Sequence, residues 1–187
     1  IRDRSKPGVL LEIGSYCGLF IQEASKAGWQ CWGIEPSKWA SDYSRTANPC
    51  AKIINLNFEE APNQISEKFD LVASWDVIEH VREPNQMLSM AHQCLKPGGI
   101  IAFSTLDVDS WLPKLMGRHW PWIMEMHLYY FRKQVLEDML SKSHFTLLHV
   151  SNYCHYASLR YIFKKIIYIF PRYFHLSLIH ISEPTRP

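Results

Sequence analysis

"VLLEIGSYCGLF" occupies residues 9–20 and joins a strand signal to a glycine turn. Val9 to Ile13 is an apolar run of strand length, interrupted by one acid, Glu12. Gly14 and Gly18 follow, four positions apart, where the strand should hand over to a helix. A G-x-G-x-x-G loop at such a junction cradles a pyrophosphate on the helix N-terminus. Here the middle glycine is missing, Tyr16 and Cys17 fill the turn, and no P-loop lysine accompanies it. The turn offers bare backbone to a ligand without the marks of a phosphate site. Taken alone, it is also what a tight turn with positive φ would need.

Outward from this junction, strand and helix signals alternate. "QCWGIE" (30–35), "AKIINLN" (51–57), "FDLVASW" (69–75), "IIAFST" (100–105) and "FTLLHVSNY" (145–153) read as further strands. Helices are predicted over 18–27, ended by Gly28, and over 36–47, with Pro36 in the first turn. Two more are predicted over 84–95, stopped by Lys96-Pro97-Gly98-Gly99, and over 132–143. Near-continuous apolar strands separated by helices imply an α/β, Rossmann-like fold: a mostly parallel sheet with helices on both faces. Such sheets bind ligands beyond the carboxyl ends of their strands, near the switch point. Gly14, Glu35, Asn57 and Trp75 each fall at or just past the end of a different strand.

Composition narrows the function classes. At 187 residues the chain suits one domain, and 47% hydrophobic with 20% charged residues is ordinary for a soluble globular protein. A net charge of +2 from 20 basic and 18 acidic residues does not point to nucleic acid. The five cysteines are odd in number and never paired as C-x-x-C, which argues against a disulfide framework or zinc ribbon and fits a reducing, cytoplasmic setting. No apolar run approaches the ~18 residues of a membrane span. Residue 1 is Ile, not Met, so the native N-terminus is read as missing.

The main domain is expected to span 1–157. "SLRYIFKKIIYIFPRYF" (158–174) is basic, aromatic and apolar at helical spacing, so 158–175 is read as a helix packing on the domain; a membrane-surface helix is the less favoured use. "LSLIHISEPTRP" (176–187) resembles a translated sequencing-adaptor string and is expected to be a non-native tail on a gene fragment.

The site candidates come from the strand ends. Glu35 lies about 20 residues past the glycine turn, an offset that suits a carboxylate holding both hydroxyls of a ribose. The less favoured alternative is a surface acid capping the helix that starts at Pro36. In "NFEEAP" (57–62), the Asn57 amide could meet an adenine with Phe58 flanking the ring, or the stretch is a polar loop with one anchoring Phe. "FDLVASWDVIEHV" ends the fourth strand with Trp75 and Asp76, then Glu79 and His80.

Together, "LEIGSYCG", "GIEPS", "FDLVASWDVIEHVREP", "CLKPGGIIAFST" and "HLYYFRKQVLEDML" resemble the class I S-adenosylmethionine-dependent methyltransferases, in the small-molecule branch that includes the ubiquinone-biosynthesis O-methyltransferases. The resemblance runs from about Val9 to about Tyr161. It implies S-adenosyl-L-methionine as cofactor and a small-molecule methyl acceptor, with transfer to oxygen. By carry-over, Glu12, Gly14, Ser15 and Gly18 line the methionine end. Glu35 holds the ribose with Pro36 next to it, Asn57 and Phe58 meet the adenine, and Trp75 with Asp76 lies near the sulfonium. Three departures stand out. Tyr16 and Cys17 occupy a turn where the family often has another glycine. Asn57 stands where an acid is usual. Arg132 stands where a Ser usually caps a helix, forgoing a cap worth ~1 kcal/mol. The family's seventh strand is expected to be missing or truncated.

For the chemistry, alignment of the reactants can supply ~7–11 kcal/mol, and a base near a phenolic acceptor adds ~10²–10⁴ in rate. His127, in "MEMHLYYF", and His80 are the candidates for base or acceptor contact; either could also be an ordinary packed or surface imidazole. Some ubiquinone-biosynthesis relatives hold a divalent metal with an acid-x-x-E-H set, which here is Asp76, Glu79 and His80. The favoured reading is that these residues brace the loop, and no metal is assigned. Residues 106–130 interrupt the alternation and are rich in Trp, Tyr and Met, so the acceptor pocket or a lid is placed there. Two rivals stay open. A non-catalytic cofactor-binding relative would keep the turn and Glu35 without turnover. A nicotinamide-dependent oxidoreductase would need the missing glycine and a second catalytic set.

Overall fold

The computed structural model describes residues 7–151. Strand β1 (Val9–Ile13) leads through the glycine turn into helix α1 (Leu19–Lys26). Then come β2 (Gln30–Ile34), α2 (Lys38–Ala47) and β3 (Lys52–Ile54). A 3₁₀ turn (Phe58–Glu60) and the single-turn α3 (Ala61–Gln64) precede β4 (Phe69–Trp75). The chain continues through α4 (Pro84–Cys94), β5 (Leu95–Ser104), α5 (Trp111–Met116) and α6 (Lys133–Lys142).

The five strands form one parallel sheet in the order β3-β2-β1-β4-β5. The chain walks outward from β1 to β3, then returns to place β4 on the other side of β1. The switch point therefore lies between β1 and β4, directly beyond the glycine turn. The period-two alternation of each strand sorts its residues onto two apolar layers. Leu10, Cys31, Ile53 and Leu71 pack with Ile21 and Ala24 of α1 on one face. Leu11, Ile13, Ile34 and Val72 pack with Met87, Leu88 and Ala91 of α4, and with Met139 and Leu140 of α6, on the other. The α/β architecture with helices on both faces is thus observed.

Several local expectations are revised. Pro36 is not in the first turn of α2: the helix begins at Lys38, and the Ser37 side chain accepts the Ala40 N–H as its cap. Lys96-Pro97-Gly98-Gly99 does not separate helix from strand. Cys94 passes straight into β5, and the four residues form an irregularity that shifts its register against β4 between Phe69 and Leu71. Residues 145–151 of the strand expected over 145–153 carry no strand. A strand is completed only by a neighbour's backbone, and among the described residues nothing pairs with this stretch, whose side chains from Thr146 to Ser151 are exposed. Arg132 does stand at the N-cap of α6 without a side-chain cap, as expected. The helix at 158–175, the tail at 176–187 and the question of a seventh strand lie outside the described residues.

Candidate functional site

The glycine turn is held from the second strand. The N–H groups of Gly14 and Ser15 both donate to the Ile34 carbonyl, at 2.9 and 3.1 Å, and Gly18 N–H donates to Ser15 O at 2.8 Å. Gly14 and Gly18 sit at φ 71° and 75°, the left-handed region open to glycine. Tyr16, at the missing glycine, takes φ 44°. The turn thus keeps a left-handed residue there, now with a side chain attached. A Cβ at Gly14 would stand 2.6 Å from Val77 Cγ2, so the loop after β4 closes over this turn.

Glu35 joins the pieces. It follows β2, is 6% exposed, and its two carboxylate oxygens accept from separate backbone donors. Tyr16 N–H reaches Oε2 at 2.9 Å, and Ser37 N–H reaches Oε1 at 2.8 Å. Its own carbonyl accepts from Asn55 Nδ2 at 2.8 Å and Leu56 N–H at 3.3 Å. The carboxylate expected from spacing therefore touches the glycine turn itself. Each oxygen keeps further lone-pair capacity for an incoming hydroxyl. Pro36 is exposed between Glu35 and the cap, and its carbonyl accepts a second Asn55 hydrogen at 2.8 Å.

Glu12 lies on β1, 4% exposed, opposite Gly33 on one side and Ala73 on the other. Burial, and then the nearby charge of Glu35, push its carboxyl up to about 8. Among the described residues, its Oε2, Ser15 Oγ and Trp75 Nε1 are buried without a hydrogen-bond partner. Strand alternation places Trp75, two residues past Ala73, on the same sheet face as Glu12, and its ring meets Phe20 of α1 edge-on at 5.1 Å. Such atoms cost ~1–3 kcal/mol each when left unpaired. Three of them belong to residues at or near the ends of β1 and β4.

The raised Glu12 carboxyl carries a stability prediction. Between its usual value near 4.5 and about 8, the folded chain keeps a proton that the unfolded chain releases. Stability contributed by that proton is full below the lower value and lost as pH rises through the upper one. Glu12→Gln, which mimics the protonated form, should match the parent near pH 5 and exceed it by roughly 1–3 kcal/mol near pH 9. Urea unfolding across that range checks this, and parallel curves would refute it.

The third and fourth strand ends are less uniform. Asn57 is exposed, and its amide donates to Glu60 Oε1 at 3.3 Å. Phe58 is 7% exposed and belongs to the core layer under α4, so its ring anchors the turn from inside. Asp76 takes φ 53° just past β4; its Oδ1 accepts the Ser104 hydroxyl at 2.7 Å, and its N–H donates to Ser104 O at 3.2 Å.

Beyond it, Glu79 is buried at 1% exposure and its Oε2 accepts the Thr105 hydroxyl at 3.0 Å. Its carbonyl accepts Leu128 N–H and Tyr129 N–H at 2.9 and 3.2 Å, which pins the end of the 106–130 segment to the loop after β4. That pinning brings His80 and His127 together, with ring centroids 4.8 Å apart. The two candidate histidines are therefore neighbours. Asp76 does not join Glu79 and His80 as the chain pattern suggested. The group whose donor atoms converge is Glu79, His80 and His127. Sequence reading also missed Ser37 as a donor to Glu35 and Thr105 as a donor to Glu79, because strand-end hydroxyls and caps leave no distinctive spacing.

Comparison with known proteins agrees with this fold. The ubiquinone biosynthesis O-methyltransferase of Salmonella newport (strain SL254) is 25% identical over 114 residues, covering 58% of this chain and 47% of that protein. The chain spans about half the length of the curated relatives it matches. The S-adenosylmethionine dependent methyltransferase of Mesorhizobium loti superposes with a TM-score of 0.65 at 20% identity, covering 79% of each chain. Magnesium protoporphyrin IX methyltransferase from Synechocystis PCC 6803, solved with bound SAM, gives 0.60 at 14% identity, covering 79% of this chain and 64% of that one. At these identities the structural likeness is one of fold. A family model described as a methyltransferase domain matches residues 2–150, which takes in the glycine turn, Glu35 and the paired histidines, and the chain belongs to that family.

Proposed function

We propose that the protein transfers a methyl group from S-adenosyl-L-methionine to an oxygen atom of a small-molecule acceptor. The observation that carries this reading is Glu35, buried at the tip of β2 and bonded to Tyr16 N–H in the glycine turn. A carboxylate so placed suits a ribose, and a turn lacking the phosphate glycine suits an adenosyl group without phosphates. The unpaired Glu12 Oε2, Ser15 Oγ and Trp75 Nε1 fit a polar, cationic methionine end on the same face. Gly14 and Gly18 would line that end, and Asp76 would lie beside it. Asn57 would meet the adenine, with Phe58 holding its turn from the core.

When bound, the cofactor would supply a methyl group activated on a sulfonium sulfur, and His80 or His127 would take the proton that the acceptor hydroxyl gives up. The protein's own share is placement. Glu35 fixes one end of the ligand, and the pinned 106–130 segment walls the other. That segment carries Trp111 and Leu115 exposed, apolar groups suited to a planar or lipophilic acceptor. His80 and His127 stand between the loop after β4 and this segment, and we place the acceptor oxygen beside them. Methylation at oxygen draws support from the O-methyltransferase named among the relatives.

Titration calorimetry with S-adenosylmethionine and with NAD tests the cofactor. Binding of the first alone is expected; NAD binding with no S-adenosylmethionine binding would overturn the proposal. Release of S-adenosylhomocysteine with a panel of phenols, sugars and lipids then tests transfer. A chain that binds but releases none with any acceptor would be the non-catalytic relative.

A further inference from the structure

We propose that Tyr130 is a positioning residue: its hydroxyl clasps residues 122–127, the turn that fixes the tautomers of His80 and His127. The bare Nε2 atoms this leaves serve as proton acceptors, a use that rests on the methyl-transfer reading. Both rings take their orientation from carbonyls of that one turn. His80 Nδ1 lies 2.8 Å from the Met126 carbonyl oxygen, and His127 Nδ1 lies 2.9 Å from the Trp122 carbonyl oxygen. A carbonyl oxygen can only accept, so each Nδ1 carries the hydrogen, and the neutral ring keeps its lone pair on Nε2. A histidine free in water prefers the opposite tautomer. The turn therefore imposes the form that a base working through Nε2 requires.

The turn has little else to hold it, because residues 120–130 belong to no helix or strand. Tyr130 supplies the tie. Its hydroxyl accepts the Met124 N–H at 2.8 Å and lies 3.3 Å from each of the Trp122 and Met124 carbonyl oxygens, to which its own hydrogen can be given. His127 N–H closes the turn onto the Met124 carbonyl at 3.1 Å. The Tyr130 ring meets the His127 ring edge-on, with centroids 5.6 Å apart at 73°. One phenol thus touches the carbonyl behind His127, the peptide beside it and the imidazole itself. Trp120, buried at 6% exposure, stands behind Tyr130 with ring centroids 6.3 Å apart, which roots the clasp. The neighbouring Tyr129 makes the contrast: its hydroxyl donates to the Arg82 carbonyl at 2.8 Å, outside the turn.

The consequence falls on proton removal. When a histidine of this pair acts, its Nε2 lone pair forms the new bond to the hydroxyl hydrogen. The acceptor oxygen keeps the O–H electron pair for its bond to the methyl carbon, the C–S pair stays on sulfur, and the proton afterwards passes to water. A base displaced by ~1 Å can forfeit ~10² in rate. Without the Tyr130 hydroxyl, Met124 N–H loses its acceptor, the turn loosens, and the His127 ring is free to turn and to place its hydrogen on Nε2. Capture of the cofactor is not affected, because the bonds of Glu35 to Tyr16 N–H and Ser37 N–H lie apart from this clasp.

The test uses the full chain with ¹⁵N-labelled histidine and long-range ¹H–¹⁵N spectra of the imidazoles, recorded well above neutral pH and assigned with His80→Asn and His127→Asn. The parent should show the hydrogen on Nδ1 at both rings. Tyr130→Phe should shift His127 toward the Nε2–H form, and Tyr129→Phe should keep both rings as in the parent. For a phenol that the parent methylates, Tyr130→Phe should lower kcat at least ~10-fold with the KM for S-adenosylmethionine within about twofold, while Tyr129→Phe leaves both within about twofold. Thermal unfolding and S-adenosylmethionine titration of both variants separate loss of the clasp from loss of the fold or of the cofactor site. An Nε2–H ring in the parent, unchanged tautomers in Tyr130→Phe, or a parental kcat in that variant would overturn the proposal. The expected tautomers in a chain that methylates no phenol would support the clasp and count against the methyl-transfer reading instead.

Discussion

Glu35→Ala is expected to weaken S-adenosylmethionine binding by roughly 10- to 100-fold, about 1–3 kcal/mol, the range for charge-assisted hydrogen bonds. Two losses combine. The ribose hydroxyls lose their acceptor, and Tyr16 N–H and Ser37 N–H lose theirs at 2.9 and 2.8 Å. The second loss loosens the glycine turn, so some stability goes with the affinity. Glu35→Gln should fall between the parent and the alanine variant. It keeps the size and one acceptor but turns an amide NH₂ toward a backbone N–H. Calorimetric titration beside urea unfolding separates the effects. Parental affinity in the alanine variant would remove Glu35 from the site and, with it, the adenosyl reading.

Gly18→Ala should destabilise the chain by about 2–5 kcal/mol. Two penalties add: ~1–2 kcal/mol for a side chain at φ 75°, and ~1–3 for overpacking. The new Cβ would stand 2.2 Å from Ser44 Oγ and 2.4 Å from Asn48 Nδ2. Neither neighbour can yield freely. Ser44 is fully buried in α2, and Asn48 Nδ2 donates to Gly18 O at 3.2 Å and Ser44 O at 3.1 Å. Gly98→Ala is the matched control. Its φ is nearly the same, 77°, but nothing lies within 4 Å of the added Cβ. It should show the dihedral penalty alone. Equal losses at the two positions, measured by urea unfolding, would mean that the packing of α2 against the turn is not what holds this junction.

The fold was legible where local pattern and tertiary role agree. Val9–Ile13 and Phe69–Trp75 are apolar because both faces of a central parallel strand are covered, so their runs announced them. The stretch from Phe145 carries a similar apolar content and forms no strand over its described residues, because pairing is a property of the neighbour as much as of the segment. Lys96-Pro97-Gly98-Gly99 looks like a helix stop and instead is absorbed as an irregularity in β5. The site divides in the same way. Glu35 was legible because its partner turn lies at a set offset along one strand–helix–strand unit. The meeting of His80 with His127 was not, since it depends on backbone bonds from Leu128 and Tyr129 to Glu79 that no spacing encodes. Phe58 reads from the sequence either as flanking a ligand ring or as an anchoring Phe, and its burial in the core fits the second.

Tyr16 stands where a G-x-G-x-x-G turn has its middle glycine, and its left-handed backbone has a thermodynamic reading. Glycine at that position would reach the same φ at little steric cost but would wander more widely in the unfolded chain and in the empty cleft. A bulky residue accepts some strain and narrows the conformations open to the loop, while its backbone N–H keeps the bond to Glu35 that glycine would also make. A turn restrained in this way would lie nearer to a ligand-receptive shape before any guest arrives. Little ordering entropy remains to be lost on association, which favours a rigid-body capture over a loop that folds around its ligand.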